Sequence, residues 1–339
     1  MTISRLRLAA VLAAALLASA VASTAARAET GEVRFAQQFG LGYLPIHIVR
    51  EQRLIEKHAA LLGLPDLRVS FQQVGTGSAA TDMLLSGNLD MELGGVPILI
   101  NLWDKTRGRQ GVRGIMALCD TPFQFITVDP RLHSLRDFTA ADRIAVTTVG
   151  ISAPALIFQM AAQREMTPAL AAQATSMEVP MSFPDAYAGM LSGKLEVKTQ
   201  STADPFARAL LADGRARLLF SSYDVLGGPH TGGVLFTTTR WKEANPKAYQ
   251  AIVAAFTEAQ QFIRDHRDET AAIYAKLEPT SLPPDVVKQS VLSPELVCTA
   301  TPHKIQALAD AMNASGMLRA PPASWKDLFF ENVHDLPGS

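Results

Sequence analysis

The side chains that most often carry catalysis or hold a metal ion are few in this sequence, and they are not clustered. Seven histidines are scattered along the 339 residues, and the only cysteines are Cys119 and Cys298. No HExxH, GxSxG, P-loop or GxGxxG motif occurs, and no group of carboxylates or histidines stands at metal-ligand spacing. We therefore expect no catalytic residue, no metal site and no cofactor.

The two cysteines limit the covalent chemistry further. They are too few for a disulfide framework, a four-cysteine zinc site or an iron–sulfur cluster. In an oxidising compartment Cys119 and Cys298 can form one disulfide; otherwise both are buried thiols that pack as small hydrophobic side chains. The sequence leaves both alternatives open.

Small and hydroxyl-bearing residues gather in loops that precede predicted helices, and their chemistry is noncovalent binding. Glycine lets a ligand approach the backbone, hydroxyl groups donate and accept hydrogen bonds, and the free N–H groups of a helix start attract an anion. Such residues also form ordinary helix caps. The candidate ligand-binding residues of this kind are Gly42, Thr76, Gly77, Ser78, Gly95, Val96, Pro97, Thr121, Thr147, Thr148, Ser152 and Ser182.

Three ring side chains in the same kind of loop extend the candidate set. Tyr43 can donate its phenol hydroxyl or stack on a flat solute, or it can close the core as a turn residue. Phe183 can contact a solute, although burial in the core is the commoner fate of a phenylalanine. His230 can offer a donor or a pH-dependent charge to an anionic solute, or it can be structural.

A repeated unit of apolar strand, small-residue loop and amphipathic helix positions these residues, and it predicts an α/β fold. Strands at residues 33–37, 69–74 and 89–93 each lead into such a loop, and a helix at 46–57 follows the first. In an open parallel sheet these loops meet at the carboxyl edge, where helix N-termini face one crevice. The predicted site is thus a binding rim built mostly from backbone.

The pattern restarts after residue 122, with strands at 123–128, 143–147 and 195–198. Beyond a further strand at 232–237 the pattern is helical to the C-terminus. A helical tail has no sheet of its own, so we expect it to return and cover the first lobe. The expected domains are therefore a discontinuous lobe I at residues 29–122 and 232–339, and lobe II at residues 123–231, joined by two crossover strands at a hinge.

The N-terminus predicts where the chain works. Arg5 and Arg7 precede an apolar run over residues 8–22, and Ala-Arg-Ala follows at 26–28. This is the pattern of a secretory signal peptide, residues 1–28, cleaved after Ala28; the alternative is an uncleaved anchor. We expect export to the periplasm.

Charge and length exclude some partners and favour others. The formal net charge is −1 and no basic patch stands out, since the cationic cluster at residues 105–109 is typical of a solvated loop, so we expect no nucleic acid. The 311 residues after residue 28 exceed a usual single core and favour two domains with a cleft between them. No coiled-coil pattern or broad apolar stripe is present, and we expect a monomer.

Several segments carry a resemblance to a known family: GYLP at 42–45, EQ at 51–52, GS at 77–78, LSGNLD at 85–90, Phe138, DRIAV at 142–146 and YDVLGGPHT at 223–231. Through them the sequence resembles the periplasmic solute-binding proteins of ABC importers, in the nitrate, sulfonate, taurine and bicarbonate group. The resemblance implies a two-lobed periplasmic-binding-protein fold of type II whose lobes close on one small solute and dock on an inner-membrane permease with its cytoplasmic ATPase. It also implies that the segment of Asp204 and Phe206 places an aromatic ring against the solute.

The resemblance leaves rival functions and several solutes open. A protein of this fold can instead report its solute to a receptor, act as an enzyme, or serve a structural role. One enzyme family of this fold, a pyrimidine synthase of fungal type, uses a cysteine-rich segment that this chain lacks. Sulfonates, nitrate, bicarbonate, pyrimidines and aromatic carboxylates all remain candidates, and we favour a small organic anion such as a sulfonate.

Overall fold

The computed structural model of the chain describes residues 29–278 and 280–339. The predicted signal peptide, residues 1–28 with cleavage after Ala28, lies outside the described residues. Within the part that is described, none of the helices combines the length and the apolar character that a membrane crossing requires. Strands and helices alternate along the chain, which confirms the predicted α/β class.

The elements have the following bounds. The strands are β1 (Glu32–Gln37), β2 (Arg68–Gln73), β3 (Met91–Gly94), β4 (Val112–Ala117), β5 (Cys119–Asp120), β6 (Gln124–Thr127), β7 (Ile144–Val146), β8 (Glu178–Pro180), β9 (Thr199–Thr202), β10 (Arg217–Ser221), β11 (Val234–Thr238) and β12 (Val297–Cys298). The helices are α1 (Pro45–Glu51), α2 (Leu54–Leu61), α3 (Gly77–Ser86), α4 (Val96–Thr106), α5 (Ala153–Glu165), α6 (Pro168–Ala171), α7 (Ala174–Met177), α8 (Phe183–Ser192), α9 (Phe206–Leu211), α10 (Ser222–Leu226), α11 (Thr239–Ala244), α12 (Pro246–Asp265), α13 (Arg267–Leu277), α14 (Pro284–Val291) and α15 (Ile305–Ala314). Short 3₁₀ turns lie at Leu41–Tyr43, Leu135–Asp137, Trp325–Leu328 and Glu331–Val333.

Two five-stranded sheets organise the described chain. The first has the order β2-β1-β3-β11-β4 and the second has the order β10-β6-β9-β7-β8. In the first sheet β11 is antiparallel to its neighbours β3 and β4, and in the second β6 is antiparallel to β10 and β9. Each of these is the strand that the chain forms on arriving from the other sheet. We call the bodies built on the two sheets the first lobe and the second lobe.

The two crossings between the sheets lie side by side. Asp120, in β5, forms an isolated bridge with Thr231, and the N–H of Gly232 donates to the carbonyl of Cys119 over 2.9 Å. A disulfide joins Cys119 to Cys298, which pairs with β5 as part of β12. The expectation of an entirely helical C-terminal tail is therefore wrong, because β12 adds a short strand at the hinge.

Helix α12 of the tail packs on the first lobe. The ring of Phe256 in α12 stacks on Phe35 of β1, with 6.2 Å between ring centroids. On the same helix the Glu258 carboxylate accepts a hydrogen bond from Lys57 Nζ over 2.6 Å. The long amphipathic helix thus covers one face of the first sheet.

Two predicted elements differ from those observed. The helix expected at 46–57 is two helices, because Arg53 takes a left-handed conformation with a φ of 49° between α1 and α2. The strand expected at 195–198 forms instead as β9, four residues later. All four residues of β9 are polar and buried, and the Thr199 hydroxyl donates to that of Thr127 over 3.0 Å. A strand whose buried side chains are polar gives no apolar pattern in the sequence.

Candidate functional site

A cavity lies between the two lobes at the carboxyl edges of both sheets. The loops that follow β1, β3, β7 and β9 all reach it. Its volume open to the centre of a water molecule is about 20 Å³, and one water needs about 10–15 Å³ by that measure. A solute of several heavy atoms therefore enters only when the lobes separate or the side chains rearrange. The lining residues are Gln38, Phe39, Gly40, Gly42, Tyr43, Gly95, Ile98, Thr121, Phe123, Thr147, Ser152, Ala153, Pro154, Phe183, Ala203 and Gly232.

Two helix N-termini, one from each lobe, meet at this cavity. Helix α4 begins after Gly95 and helix α5 begins after Ser152, and both helices have proline in the first turn. The backbone nitrogen of Ala153 lies 3.8 Å from the position that a Cβ atom on Gly95 would occupy. Unpaired N–H groups and the positive ends of two helix dipoles thus converge on one small volume. This arrangement suits a negatively charged or strongly polar group.

Ser152 fixes the second-lobe side of this arrangement. Its Oγ donates to the carbonyl of Thr148 over 2.7 Å and accepts from the N–H of Ala155 over 3.3 Å. The nearby Thr148 Oγ1 is buried without a hydrogen-bond partner and lies 3.5 Å from the position of a Cβ on Gly77. Because buried polar atoms are nearly always paired, an unpaired hydroxyl at the mouth of a cleft favours a polar occupant.

Aromatic rings form the apolar part of the wall. Tyr43 is buried, and its hydroxyl lies 3.5 Å from Gln38 Nε2. On the other side the ring of Phe123 lies 6.5 Å from that of Phe183, and Phe183 packs against Gly40 of the first lobe. The wall therefore combines flat apolar surfaces with a few polar atoms, which is the usual make-up of a small-molecule site.

The lining side chains carry no formal charge. Neither a lysine, an arginine, a histidine nor a carboxylate is among the residues described as lining the cavity. No group of three histidine, cysteine or acidic side chains suited to a metal ion occurs within residues 29–278 and 280–339. Any charge on a solute must therefore be balanced by helix ends or by groups behind the wall.

The structure brings part of the predicted site together. The predicted residues that line the cavity are Gly42, Tyr43, Gly95, Thr121, Thr147, Ser152 and Phe183. The other predicted residues do not line the cavity. These are Thr76, Gly77, Ser78, Val96, Pro97, Thr148, Ser182, Asp204, Phe206 and His230.

Three of the residues outside the lining have clear structural partners. The Ser182 hydroxyl caps α8 and donates to Asp185 over 2.5 Å. The ring of Phe206 is buried 6.0 Å from that of Tyr187 in the second lobe. The backbone carbonyl of Asp204 accepts from the N–H of Leu41, so this segment joins the two lobes.

His230 is fully buried behind the wall. Its Nε2 lies 2.7 Å from Ser222 Oγ, and its Nδ1 lies 3.0 Å from the carbonyl of Thr231. The same Ser222 hydroxyl accepts from the N–H of Phe123 over 2.9 Å, and the His230 ring stacks on the Phe123 ring. Burial lowers the pKa of His230 to about 4, so the ring is neutral near pH 7. In this conformation it supports a lining residue.

Sequence reasoning missed lining residues that belong to apolar runs or directly follow a strand. Position directly after a strand is the signal that could have found three of them, because Gln38 and Phe39 follow β1, and Ala203 follows β9. The other missed residues are Gly40, Ile98, Phe123, Ala153, Pro154 and Gly232.

Comparisons with known proteins agree with this architecture. The model of the NMT1-like family matches residues 26–278. Curated protein sequences gave no match.

Many solved structures are similar to this chain. The alkanesulfonate-binding protein SsuA from Xanthomonas axonopodis pv. citri, bound to MOPS, is 22% identical, with a TM-score of 0.67 over 86% of this chain and 96% of that one. The periplasmic aliphatic sulphonate binding protein SsuA from Escherichia coli is 17% identical, with a TM-score of 0.62 over 89% and 93%. The periplasmic nitrate-binding protein NrtA from Synechocystis PCC 6803 is 16% identical, with a TM-score of 0.68 over 88% and 84%.

At 16–22% identity, these structures are informative about the fold alone. They confirm the expected two-lobed periplasmic-binding-protein fold of type II.

Proposed function

This chain belongs to the NMT1-like family, and from that premise we propose that it is the exported solute-binding subunit of an ABC importer. It captures a small organic solute that carries an anionic group, holds it between the two lobes, and delivers it to a permease in the inner membrane. The protein acts as a monomer and makes or breaks no bond in the solute.

The observation that carries this proposal is the cavity shared by both lobes. Gly95 and Tyr43 line it from the first lobe, and Ser152 and Phe183 line it from the second. A solute there contacts both lobes at once, so it stabilises the closed arrangement more than the open one. Differential affinity of this kind is what drives a conformational change.

The anionic group belongs at the paired starts of α4 and α5. No arginine or lysine among the described residues lines the cavity, so helix ends and hydroxyl groups supply the positive potential. The rings of Tyr43, Phe123 and Phe183 hold the organic part of the solute. A permease that recognises the closed shape then distinguishes loaded from empty protein.

The test is a thermal-shift screen of purified protein, stripped of co-purified solute by unfolding and refolding. The panel contains alkanesulfonates, taurine, nitrate, bicarbonate, aromatic carboxylates and pyrimidines. At a hundredfold excess over Kd, binding adds about 2.7 kcal/mol to the free energy of unfolding, which gives a clear rise in Tm. Small-angle scattering on the tightest binder then measures whether the radius of gyration falls.

A folded protein that responds to no solute in the panel contradicts the proposal. So does a tight binder that leaves the scattering profile unchanged, because the solute would then not bridge the lobes.

A further inference from the structure

His303 contacts both of the chain segments that cross between the lobes, although it belongs to neither. It lies in the C-terminal tail between β12 and α15, and its side chain is 34% exposed. Its Nδ1 atom lies 2.5 Å from Oδ2 of Asp120, in the first crossing. Its backbone N–H donates to the hydroxyl of Thr231, in the second crossing, over 2.9 Å. Its carbonyl accepts from the N–H of Thr231 over 3.2 Å.

The two crossings are also bonded to each other at this point. The Thr231 hydroxyl donates to Asp120 Oδ1 over 3.4 Å, in addition to the isolated bridge between these residues. Each of Asp120, Thr231 and His303 therefore contacts the other two, and we call the three residues the hinge cluster. Three mutual contacts fix the relative position of the crossings more tightly than the bridge alone does.

The hinge cluster lies beside the cavity without lining it. Thr121 follows Asp120 in the sequence and does line the cavity, and so does Gly232, which follows directly after the second crossing residue of the cluster. A Cβ placed on Gly232 would lie 2.6 Å from Thr121 Cγ2, so the two crossings pack closely here. A change in their relative position would therefore move two lining residues.

The tail is anchored on both sides of His303. Before it, the disulfide joins Cys298 to Cys119, and the N–H of Thr299 donates to the carbonyl of Leu118 over 3.2 Å. After it, helix α15 packs against both α4 of the first lobe and α5 of the second. His303 is thus a fixed point against which the two crossings are held.

The contacts of the hinge cluster depend on the angle between the lobes. Hinge residues absorb most of the backbone change when two lobes close, so the relative position of the two crossings differs between the open and closed conformations. The structure has all three contacts in a conformation whose cavity leaves the centre of a water molecule only about 20 Å³. An interaction that is stronger in one of two conformations shifts the equilibrium towards it.

We propose that His303 is a positioning residue for lobe closure. By holding Asp120 and Thr231 together, it favours the closed conformation and so raises the affinity for a solute that it does not touch. This inference rests on the proposed function, in which two lobes close on the solute. It does not depend on the charge of the pair, since a hydrogen bond between Nδ1 and the carboxyl group forms with the proton on either group.

The first test needs no solute. Pulsed electron paramagnetic resonance measures the distance between spin labels at Asp66→Cys in the first lobe and Lys194→Cys in the second, both at exposed positions. His303→Leu removes the ring nitrogen, and we expect the ratio of short to long distances to fall by about threefold to tenfold. His303→Asn should restore most of the ratio, because asparagine Nδ2 is as many bonds from the backbone as histidine Nδ1.

The matched control is His58→Leu. The Nε2 atom of His58 lies 2.7 Å from Glu258 Oε2, but this pair joins α2 to α12 within the first lobe. Urea unfolding compares the stability of the two leucine variants, and His58→Leu should leave the distance ratio unchanged. If His303→Leu does not fold, Thr231→Val takes its place, because it removes the hydroxyl that accepts from His303 and donates to Asp120.

Affinity gives a second measure of the same shift. Calorimetric titrations use ethanesulfonate, taurine and nitrate. Whichever of these binds the wild-type protein should bind His303→Leu about threefold to tenfold more weakly, and should bind His58→Leu as tightly as the wild type.

An unchanged distance ratio in His303→Leu, or in Thr231→Val where that variant replaces it, overturns the inference. So does an equal change in His58→Leu, and so does a change that His303→Asn fails to reverse. In each case the proposed function stands as long as a solute binds the wild-type protein and contracts it. If no solute binds, the distance ratio still decides the role of His303, so the two failures are distinguishable.

Discussion

Gly95 and Ala153 face each other across the cleft, each at the start of a helix from a different lobe. The Ala153 nitrogen is 3.8 Å from where a Cβ on Gly95 would be, which is ordinary van der Waals contact. The φ angle of Gly95 is −75°, so a larger residue meets no backbone strain there. The gap between the two helix ends, and not the backbone conformation, is therefore what a side chain at position 95 would change.

Gly95→Ala should weaken solute binding without unfolding the protein. The added methyl group enters a cavity that leaves the centre of a water molecule only about 20 Å³. We therefore expect the affinity for the solute to fall by about tenfold or more. The free energy of unfolding should change by less than about 1 kcal/mol. Titration calorimetry and urea unfolding measure the two quantities.

Gly31→Ala is the matched control for that substitution. Nothing lies within 4 Å of a Cβ placed on Gly31, and its φ is not positive. Equal affinities of both variants and the wild type would contradict the placement of the site at Gly95.

Ser152→Ala should affect both stability and binding. It removes the hydroxyl that accepts from Ala155 and anchors Thr148, and loss of such a cap costs about 1 kcal/mol. Thr238→Ala removes a comparable cap from α11, which does not line the cavity. There the Thr238 hydroxyl accepts a hydrogen bond from the N–H of Trp241, with 3.1 Å between the two atoms. Chemical unfolding should show similar losses for both variants, and only Ser152→Ala should weaken solute binding. Unchanged binding in Ser152→Ala would count against a role for the α5 start.

Buried His230 should make the protein sensitive to mild acid. Its pKa falls from 6.5 in the unfolded chain to about 4 in the folded one, because burial disfavours the charged ring. Protonation of His230 therefore favours the unfolded state. Above pH 6.5 the ring is neutral in both states and the free energy of unfolding is unaffected. As pH falls from 6.5 towards 4, the free energy of unfolding decreases by about 3 kcal/mol.

Urea unfolding between pH 7 and 4 measures the effect, with His230→Gln as the variant that should flatten the profile. The exposed His266, changed to Gln, is the control. An identical pH profile in His230→Gln and in the wild type would show that other groups dominate.

The disulfide at the hinge should contribute to stability. It joins residues 179 positions apart, and cross-links of long loops typically stabilise a protein by about 2–4 kcal/mol. The Cys119→Ser, Cys298→Ser double variant should have a lower Tm than the wild type, and dithiothreitol should lower the Tm of the wild type only. Equal Tm values of wild type and double variant would refute the stabilising role, provided that thiol counting shows the wild type oxidised.

The sequence predicted the parts of the fold that follow an apolar period. The strands predicted at residues 33–37 and 123–128 lie close to the observed β1 and β6, because apolar strands leave a local signal in the sequence. β9 escaped because its four side chains are polar although they are buried, so the strand has no apolar pattern. The break at Arg53 escaped too, since the left-handed conformation is uncommon for arginine and the local sequence does not mark it.

The candidate site divides in the same way. Small residues such as Gly95 and Ser152 were found from their position before helices, which is a local feature. Phe123 and Ile98 line the cavity only because two lobes bring apolar runs together, and a single sequence does not give that geometry.

The place of β11 between β3 and β4 sets an order of assembly for the molecule. The second sheet consists of one continuous stretch, residues 124–221, and can form as soon as that stretch is available. The first sheet lacks the strand between β3 and β4 until residues 234–238 arrive. During synthesis the first lobe therefore stays incomplete, with the facing edges of β3 and β4 unpaired, until about two thirds of the chain has emerged. We expect the chain to be most prone to aggregation, or to capture by chaperones, during this interval.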